Sequence, residues 1–149
     1  AFYKMSRGII VKAILKSDDF ETYITTFDFN GIEPFTIVLL DWSVKLNAYE
    51  LVWDGKQQHF SKLKNEPKIW SSSTLYTQEE KELRKGWFAD WLVNQSEFTQ
   101  EEILKFHHNS EIGTPKNSPK MKRSYVETVS ITSVKKSDKN ITLNYEKLT

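Results

Sequence analysis

The stretch YELVWDG, residues 49–55, sets the class of the fold. Tyr49, Leu51 and Trp53 fall on one face of an extended strand, because successive side chains point to opposite faces. The Asp-Gly pair that follows is a strong sequence signal for a β-hairpin. We therefore predict that a strand over residues 46–54 turns back and pairs with an antiparallel partner over residues 57–63.

Further strands are predicted on both sides of this hairpin. The run PFTIVLLDW, residues 34–42, is rich in β-branched and aromatic side chains and is typical of a buried strand. Residues 68–73 follow a turn at Asn65-Glu66-Pro67 and are predicted to form the next strand. Alternation over residues 125–134 and again over residues 141–145 predicts a terminal hairpin.

Helices are predicted before and after these strands. Ser6 is an expected N-cap for a helix over residues 7–16, and helical spacing of apolar residues returns over residues 17–27. Thr77 and Thr99 each begin the pattern Thr-Gln-Glu-Glu, the capping box of a helix start. Strands joined by short turns form antiparallel sheets, and helices separated from strands indicate an α+β fold.

The helix that follows Thr77 is predicted to reach about Asn94. Leu83, Trp87 and Trp91 recur along it at i, i+4 and i+8, which predicts one apolar stripe. Such a stripe could line a site for an apolar ligand, but packing on a sheet is its commoner role.

Composition limits the classes of function. The 149 residues are 38% hydrophobic, which suits one domain over residues 1–149, and 21 basic against 20 acidic residues give a net charge of +1. That balance predicts no nucleic-acid partner. With no run near the roughly 20 apolar residues of a membrane span, we expect no integral membrane segment. Composition leaves the compartment open, and the expected location is cytoplasmic. The absence of cysteine excludes a disulfide, a thiolate metal ligand and a cysteine nucleophile within this sequence.

Three consecutive hydroxyls, Ser71-Ser72-Ser73, lie between the predicted strand over residues 68–73 and the helix that Thr77 caps. Such hydroxyls can line a site, or they can satisfy backbone groups at a corner, which is their commoner role. No Gly-x-Ser-x-Gly motif surrounds them, which argues against the nucleophile of an α/β-hydrolase.

The histidines do not predict a metal site. His107 and His108 are adjacent, so on a helix their side chains point about 100° apart and do not form a chelating pair. His59 stands alone on a predicted strand. The sequence also contains no glycine-rich phosphate loop. We therefore predict neither a metal nor a cofactor. A basic loop could bind phosphate or a lipid headgroup, but a solvated loop is commoner. Its basic residues are Lys116, Lys120, Lys122 and Arg123.

Several segments occur in an order that resembles one protein family. They are GIEPF (31–35), YELVWDG (49–55), WSSSTLY (70–76), Arg84 with Trp87-Phe88, Arg123-Ser124, TVSI (128–131) and Tyr145-Glu146. This order resembles the carboxyl-terminal part of the NRDE family, also called the transport and Golgi organisation family, in its bacterial form. The resemblance covers most of the chain and rests on order and spacing.

The resemblance implies an N-terminal nucleophile (Ntn) hydrolase-like fold, an αββα sandwich of antiparallel sheets with flanking helices. In such proteins the nucleophile is the residue exposed at the mature amino terminus, usually cysteine. This sequence has neither that cysteine nor the Asn-Arg-Asp-Glu segment that names the family. Its first residues match a point inside the family pattern. The expected partner is therefore an amino-terminal segment of the same protein.

The resemblance also implies two supporting catalytic residues. Relatives commonly read Ser-Asn-Ser at residues 71–73, so Ser72 takes the place of an oxyanion-holding asparagine. Arg123 matches an active-site arginine before the last hairpin. The expected function is support for hydrolysis of a C–N amide bond, with this chain inactive by itself. The alternatives are a non-catalytic carrier of haem or lipid, because eukaryotic relatives are linked to such handling and to membrane trafficking, and a purely structural domain.

The identity of a small-molecule ligand and the formation of a homodimer stay open at this level. If strands from another segment belong to the fold, this chain by itself should expose an unpaired sheet edge or an apolar face.

Overall fold

The computed structural model describes residues 3–72 and 74–149, and the chain divides into two compact units, Ala1–Leu75 and Tyr76–Thr149. The first unit contains α1 (Arg7–Lys16), α2 (Phe20–Thr26), β1 (Phe35–Asp41), β2 (Asn47–Trp53) and β3 (Gln58–Lys62), and the second contains α3 (Gln78–Val93), α4 (Gln100–His108), β4 (Ser130–Ser137) and β5 (Asn140–Lys147). The predicted α+β class with antiparallel sheets is confirmed. The assignment of residues 1–149 to one domain stays a prediction.

The first unit is built on an antiparallel sheet in the order β1-β2-β3. Leu51 of β2 faces Ile37 of β1 and Phe60 of β3, and it is fully buried. Tyr49 and Trp53, on the same face, are also buried, which confirms the predicted alternation. Helices α1 and α2 contribute apolar side chains to the core beside this face. The buried core cluster comprises Ile10, Ile14, Ile24, Phe29, Ile32, Phe35, Leu51 and Trp53.

The β2–β3 turn forms at the predicted Asp54-Gly55 pair. Gly55 has φ 97°, a conformation that favours glycine. The Asp54 carboxylate accepts hydrogen bonds from the backbone N–H groups of Lys56, at 2.7 Å, and Gln57, at 2.8 Å. The turn is therefore held by the aspartate side chain as well as by the ladder.

Two strand predictions for the first unit need correction. Strand β1 is not buried throughout. Val38 and Leu40 are exposed, because the core covers only the opposite face of the strand, which carries Phe35, Ile37 and Leu39. The strand predicted over residues 68–73 is wrong for residues 68–72, and Ser73 lies outside the described residues. Side-chain bonds hold this segment instead, since the Trp70 indole donates to the Glu50 carboxylate of β2.

The second unit begins with the predicted capping box. The Thr77 hydroxyl accepts from the Glu80 N–H, and the Glu80 carboxylate accepts from the Thr77 N–H at 2.9 Å. The stripe predicted along α3 is wrong at its first position: Leu83 is 51% exposed, whereas Arg84 is only 7% exposed. Trp87 and Trp91 are partly buried, and Trp91 lies 5.4 Å from the ring of Phe106 on α4.

The terminal hairpin is shifted along the sequence relative to the prediction. Strand β4 starts at Ser130 and not at Tyr125, and it continues to Ser137, beyond the predicted end at residue 134. Ser130 faces Lys147 and Ser137 faces Asn140, which leaves only two residues in the turn. Asp138, the first of them, has φ 48°, so the tight turn is closed by a residue type that tolerates this conformation.

Gly113 offers a direct test of the packing in the second unit. It has φ 78°, and an added Cβ would lie 2.6 Å from Cζ2 of Trp87 and 2.8 Å from Oδ1 of Asn117. We expect Gly113→Ala to lower the free energy of unfolding by about 2–4 kcal/mol through backbone strain and overpacking. Urea denaturation measures this change.

The matched control is Gly86→Ala. Gly86 lies inside α3, and an added Cβ would meet nothing within 4 Å. Alanine there should stabilise the protein by about 0.5–1 kcal/mol. Equal effects of the two substitutions would contradict the packing described for Gly113.

Acid should weaken the β2–β3 turn. The N–H groups of Gln57 and Lys56, and then His59, lower the pKa of the Asp54 carboxyl from 3.8 to about 2. The stabilisation is complete above pH 3.8 and is lost as the pH falls towards 2. Asp54→Asn should therefore flatten the pH dependence of the unfolding free energy in this range. An unchanged slope, or an ordinary pKa for this carboxyl by NMR titration, would contradict the turn geometry.

Candidate functional site

Ser72 lies in a cleft of about 390 Å³ within the first unit, here called the serine cleft. It lies between the first turn of α1 and strand β1, and the segment that precedes α3 supplies its hydroxyl-bearing wall. Its lining includes Arg7, Thr36, Val38, Trp70, Ser71 and Ser72. The structure thus places the predicted site residue in a concave surface of the unit and not at a plain corner.

Two contacts from β2 fix the wall that carries Ser72. The Trp70 indole N–H donates to Glu50, and the Lys68 ammonium lies 3.0 Å from the same carboxylate. Lys68 also lies over the Trp70 ring, 5.3 Å from its centroid. Burial raises the pKa of Glu50, but the hydrogen bonds from Trp70 and Lys68 outweigh it and lower the pKa below 4.5. A charged Glu50 therefore holds the segment just before Ser72.

The serine cleft presents hydrogen-bond donors. Arg7, whose Nε lies 3.3 Å from the Glu33 carboxylate, contributes a guanidinium, and Thr36 and Ser72 contribute hydroxyls. The described residues that line the cleft include no carboxylate and no imidazole. Donors without an acid–base group can bind an anionic oxygen but cannot activate a nucleophile.

Arg123 belongs to the second unit, where it shares an aromatic ring with Arg84. The guanidinium carbons of Arg84 and Arg123 lie 4.5 Å and 5.2 Å from the centroid of Tyr76. The Arg123 Nε donates to the carbonyl of Lys116 at 2.8 Å, and one of its terminal nitrogens lies 3.4 Å from the Glu80 carboxylate. Arg123 is therefore a held, partly buried cation, and not part of a solvated basic loop.

Glu80 connects Arg123 to the start of α3. One carboxylate oxygen accepts from the Thr77 N–H at 2.9 Å, and the other faces Arg123. A carboxylate in the first turn of a helix is also favoured by the helix dipole. The same side chain therefore completes the helix cap and orients the candidate site arginine.

Arg84 is a structural centre of the second unit that the apolar pattern of α3 does not predict. Its guanidinium donates to the carbonyls of Asn117, at 2.7 Å, and Ser118, at 2.8 Å, and so holds the loop before Arg123 against α3. Burial lowers the pKa of Arg84, while Tyr76 and Glu80 act in the opposite direction, and an arginine stays charged in a protein. Its place in the family-like order was the one sequence signal that pointed to it.

The structure does not bring the histidines into a metal site. His59 binds Asp54 at 3.1 Å, and His108 binds Glu146 at 2.9 Å. Burial, and then the charge of Arg84, lower the pKa of His107 below 6.5. Over residues 3–72 and 74–149, no group of three or more potential ligands is placed to hold a metal ion. In that same part of the chain, no helix combines the length and apolarity needed to span a membrane.

Neither the protein-family models, nor the curated proteins, nor the solved structures with which the chain was compared give a match. Membership of the NRDE family therefore stays a prediction. Ser72 and Arg123 belong to different units, each described by itself, and their joint action in one site is a prediction as well.

The role of Arg84 can be measured by substitution. Arg84→Met keeps the aliphatic stem but removes two charged hydrogen bonds and leaves two carbonyls without their donor. We expect a loss of about 3 kcal/mol in the free energy of unfolding. The neighbouring Lys85→Met, on the exposed side of α3, should change it by less than about 0.5 kcal/mol. Similar effects of both substitutions would contradict the assignment of Arg84 as the centre of this unit.

Proposed function

We propose that this chain supplies the supporting, non-nucleophilic part of an Ntn-hydrolase-like protein of the NRDE type that hydrolyses a C–N amide bond. The observation that carries the proposal is the serine cleft, whose polar side chains, among them Arg7 and Ser72, can donate hydrogen bonds. The order of sequence segments that resembles the NRDE family supports it. In this proposal the antiparallel strands and helices belong to an αββα sandwich.

The chemistry of amide hydrolysis fits a donor-lined cleft. Attack on an amide carbonyl gives a tetrahedral intermediate whose oxygen carries negative charge. Preorganised donors that face this oxygen stabilise the transition state more than the ground state. The Ser72 hydroxyl would be one such donor, in the place where relatives commonly have asparagine. The nucleophile would be an amino-terminal cysteine of a segment outside this sequence.

Arg123 would act through the positive charge of its guanidinium. Its guanidinium is oriented by Tyr76, Glu80 and the Lys116 carbonyl, so little conformational entropy would be lost when it binds a substrate group. A fixed guanidinium can hold a substrate carboxylate with two hydrogen bonds, or it can favour the thiolate form of a nearby cysteine. Either role supports the reaction without forming a bond to the substrate.

The test uses the full-length protein encoded by the complete reading frame and a panel of N-acyl amino acids as amide substrates. We expect Ser72→Ala to lower kcat by about 100-fold, the effect of losing one oxyanion donor. Ser72→Asn should restore activity, because an amide N–H can donate to the same oxygen. Ser61→Ala, an exposed serine of β3, is the matched control and should leave kcat unchanged.

Three outcomes would overturn the proposal. They are a reading frame without an amino-terminal cysteine after the initiator methionine, no hydrolysis of any amide in the panel, and equal activity of Ser72→Ala and the unsubstituted protein. The alternative, a non-catalytic carrier, predicts saturable binding of haem or acyl-CoA by the full-length protein while every amide stays intact.

A further inference from the structure

A second cleft, of about 700 Å³, lies beside strand β4 in the second unit and is here called the strand cleft. One wall is the chain from Ser130 to Lys136, without a gap. The opposite wall consists of side chains on and next to α4. These side chains are Phe98, Gln100, Ile103, Leu104 and His107.

Strand β4 lines the strand cleft with consecutive residues, so its backbone takes part as well as its side chains. Here seven consecutive residues, 130–136, take part. They span roughly 23 Å at about 3.3 Å per residue. The cleft therefore runs beside the backbone of β4, and the Gln100 side chain, which donates to the Ser133 hydroxyl at 3.0 Å, connects its two walls.

The alternation of hydrogen-bonded and non-hydrogen-bonded pairs in the hairpin identifies the backbone groups at the open edge of β4. The Leu148 N–H donates to the Val129 carbonyl at 2.9 Å, and this pair continues the register in which Ser130 faces Lys147. In an antiparallel ladder, bonded pairs alternate with pairs whose N–H and C=O groups point away from the partner. The groups of Thr132, Val134 and Lys136 therefore point away from β5.

No described strand other than β5 pairs with β4. The outward N–H and C=O groups of β4 are thus available to another strand, which is the arrangement expected at an open sheet edge. Apolar side chains on the opposite wall are also accessible, since Phe98 is 55% and Ile103 is 42% exposed. An extended segment in the cleft would pair with the backbone of β4 and cover these side chains.

The charge of the strand cleft indicates which kind of segment it would bind. Lys135 and Lys136 are both exposed at one end of the strand cleft, and no carboxylate is found among its described lining residues. A second copy of this chain is a poor occupant: β4 carries no acidic side chain to meet these lysines, and the one carboxylate of β5, Glu146, already pairs with His108 and is followed by Lys147. A segment with acidic residues at one end is electrostatically complementary.

We propose that the strand cleft is an acceptor for one extended polypeptide segment from outside this sequence, apolar in alternate positions and acidic at one end, which pairs with the open edge of β4. This is β-augmentation: main-chain hydrogen bonds supply the affinity, and alternate side chains supply the specificity. The proposal does not depend on amide hydrolysis or on Ser72.

The first experiment titrates the chain of 149 residues with a capped, fluorescein-labelled peptide of eight residues in which valine and threonine alternate before two terminal glutamates. We expect saturable binding that is lost when the peptide backbone is N-methylated at every second residue. A Lys135→Glu/Lys136→Glu variant should bind about tenfold more weakly. The control variant Lys12→Glu/Lys45→Glu removes equal charge from exposed positions elsewhere and should keep the affinity.

Amide hydrogen exchange of the unsubstituted protein locates the contact. Peptide binding should slow exchange at Thr132, Val134 and Lys136, whose N–H groups point away from β5. Exchange at Ile131 and Ser133, which already bond to β5, should change much less. This alternation is specific to strand addition, since a small molecule that covers the cleft would not reproduce it.

A pair of proline substitutions distinguishes the two edges of the hairpin. Thr132→Pro removes an outward N–H of β4 and should abolish binding, whereas Leu143→Pro removes an outward N–H on the other edge and should leave it intact. Failure of the proline variants to fold still leaves the exchange experiment decisive. The proposal is overturned by absence of peptide binding, by unchanged affinity of the N-methylated peptide, or by protection that does not alternate along β4.

Discussion

The period of two along a β-strand puts Tyr49, Leu51 and Trp53 on one face, and the burial of that face is the interaction on which the first unit depends. Leu51 is fully buried because it lies on the central strand and is covered by the core that includes Ile10 and Ile24. Burial of one such side chain contributes about 1.5–3 kcal/mol. The Trp70 contact lies on the other face of β2, because its acceptor is Glu50, and it holds the segment with Ser72 beside a sheet that this burial fixes.

Charged side chains hold the second unit together to a greater extent than the first. Arg84 is buried and binds two loop carbonyls, and Glu80 completes the cap of α3 while it faces Arg123. A buried cation is costly unless its donors are satisfied. The loop before β4 therefore follows α3 closely, because its carbonyls satisfy the guanidinium. Orientation of Arg123 is a consequence of that arrangement and not of the hairpin that follows it.

The parts of the fold that local chemistry determines were predictable from sequence. Thr77 and Glu80 satisfy each other's backbone groups, and Asp54-Gly55 meets the conformational need of a tight turn. The errors arose where tertiary contacts override local preference. Residues 68–72 have strand-like composition, but Glu50 binds Trp70 and Lys68 through side chains, so no ladder forms.

The same reasoning accounts for the candidate site. Helical periodicity favoured Leu83 as the buried residue. The periodicity of apolar residues contains no information about the carbonyls that a distant loop would offer to Arg84. Ser72 and Arg123 were reached by resemblance, whereas the clefts and the partners of these side chains required coordinates. Residue type therefore predicted which hydrogen bonds each side chain could donate, and the packing determined which groups accept them.

Lysines at an open sheet edge have two effects that follow from one physical cause. A cationic edge repels another cationic edge, which limits uncontrolled pairing between copies of the chain. The same charges attract an acidic segment, so Lys135 and Lys136 raise the specificity of the strand cleft as well as protecting it. An uncharged apolar edge would pair with many strands, including its own copies. Selective strand addition therefore requires the charge at this edge as much as the hydrogen-bonding groups of Thr132 and Val134.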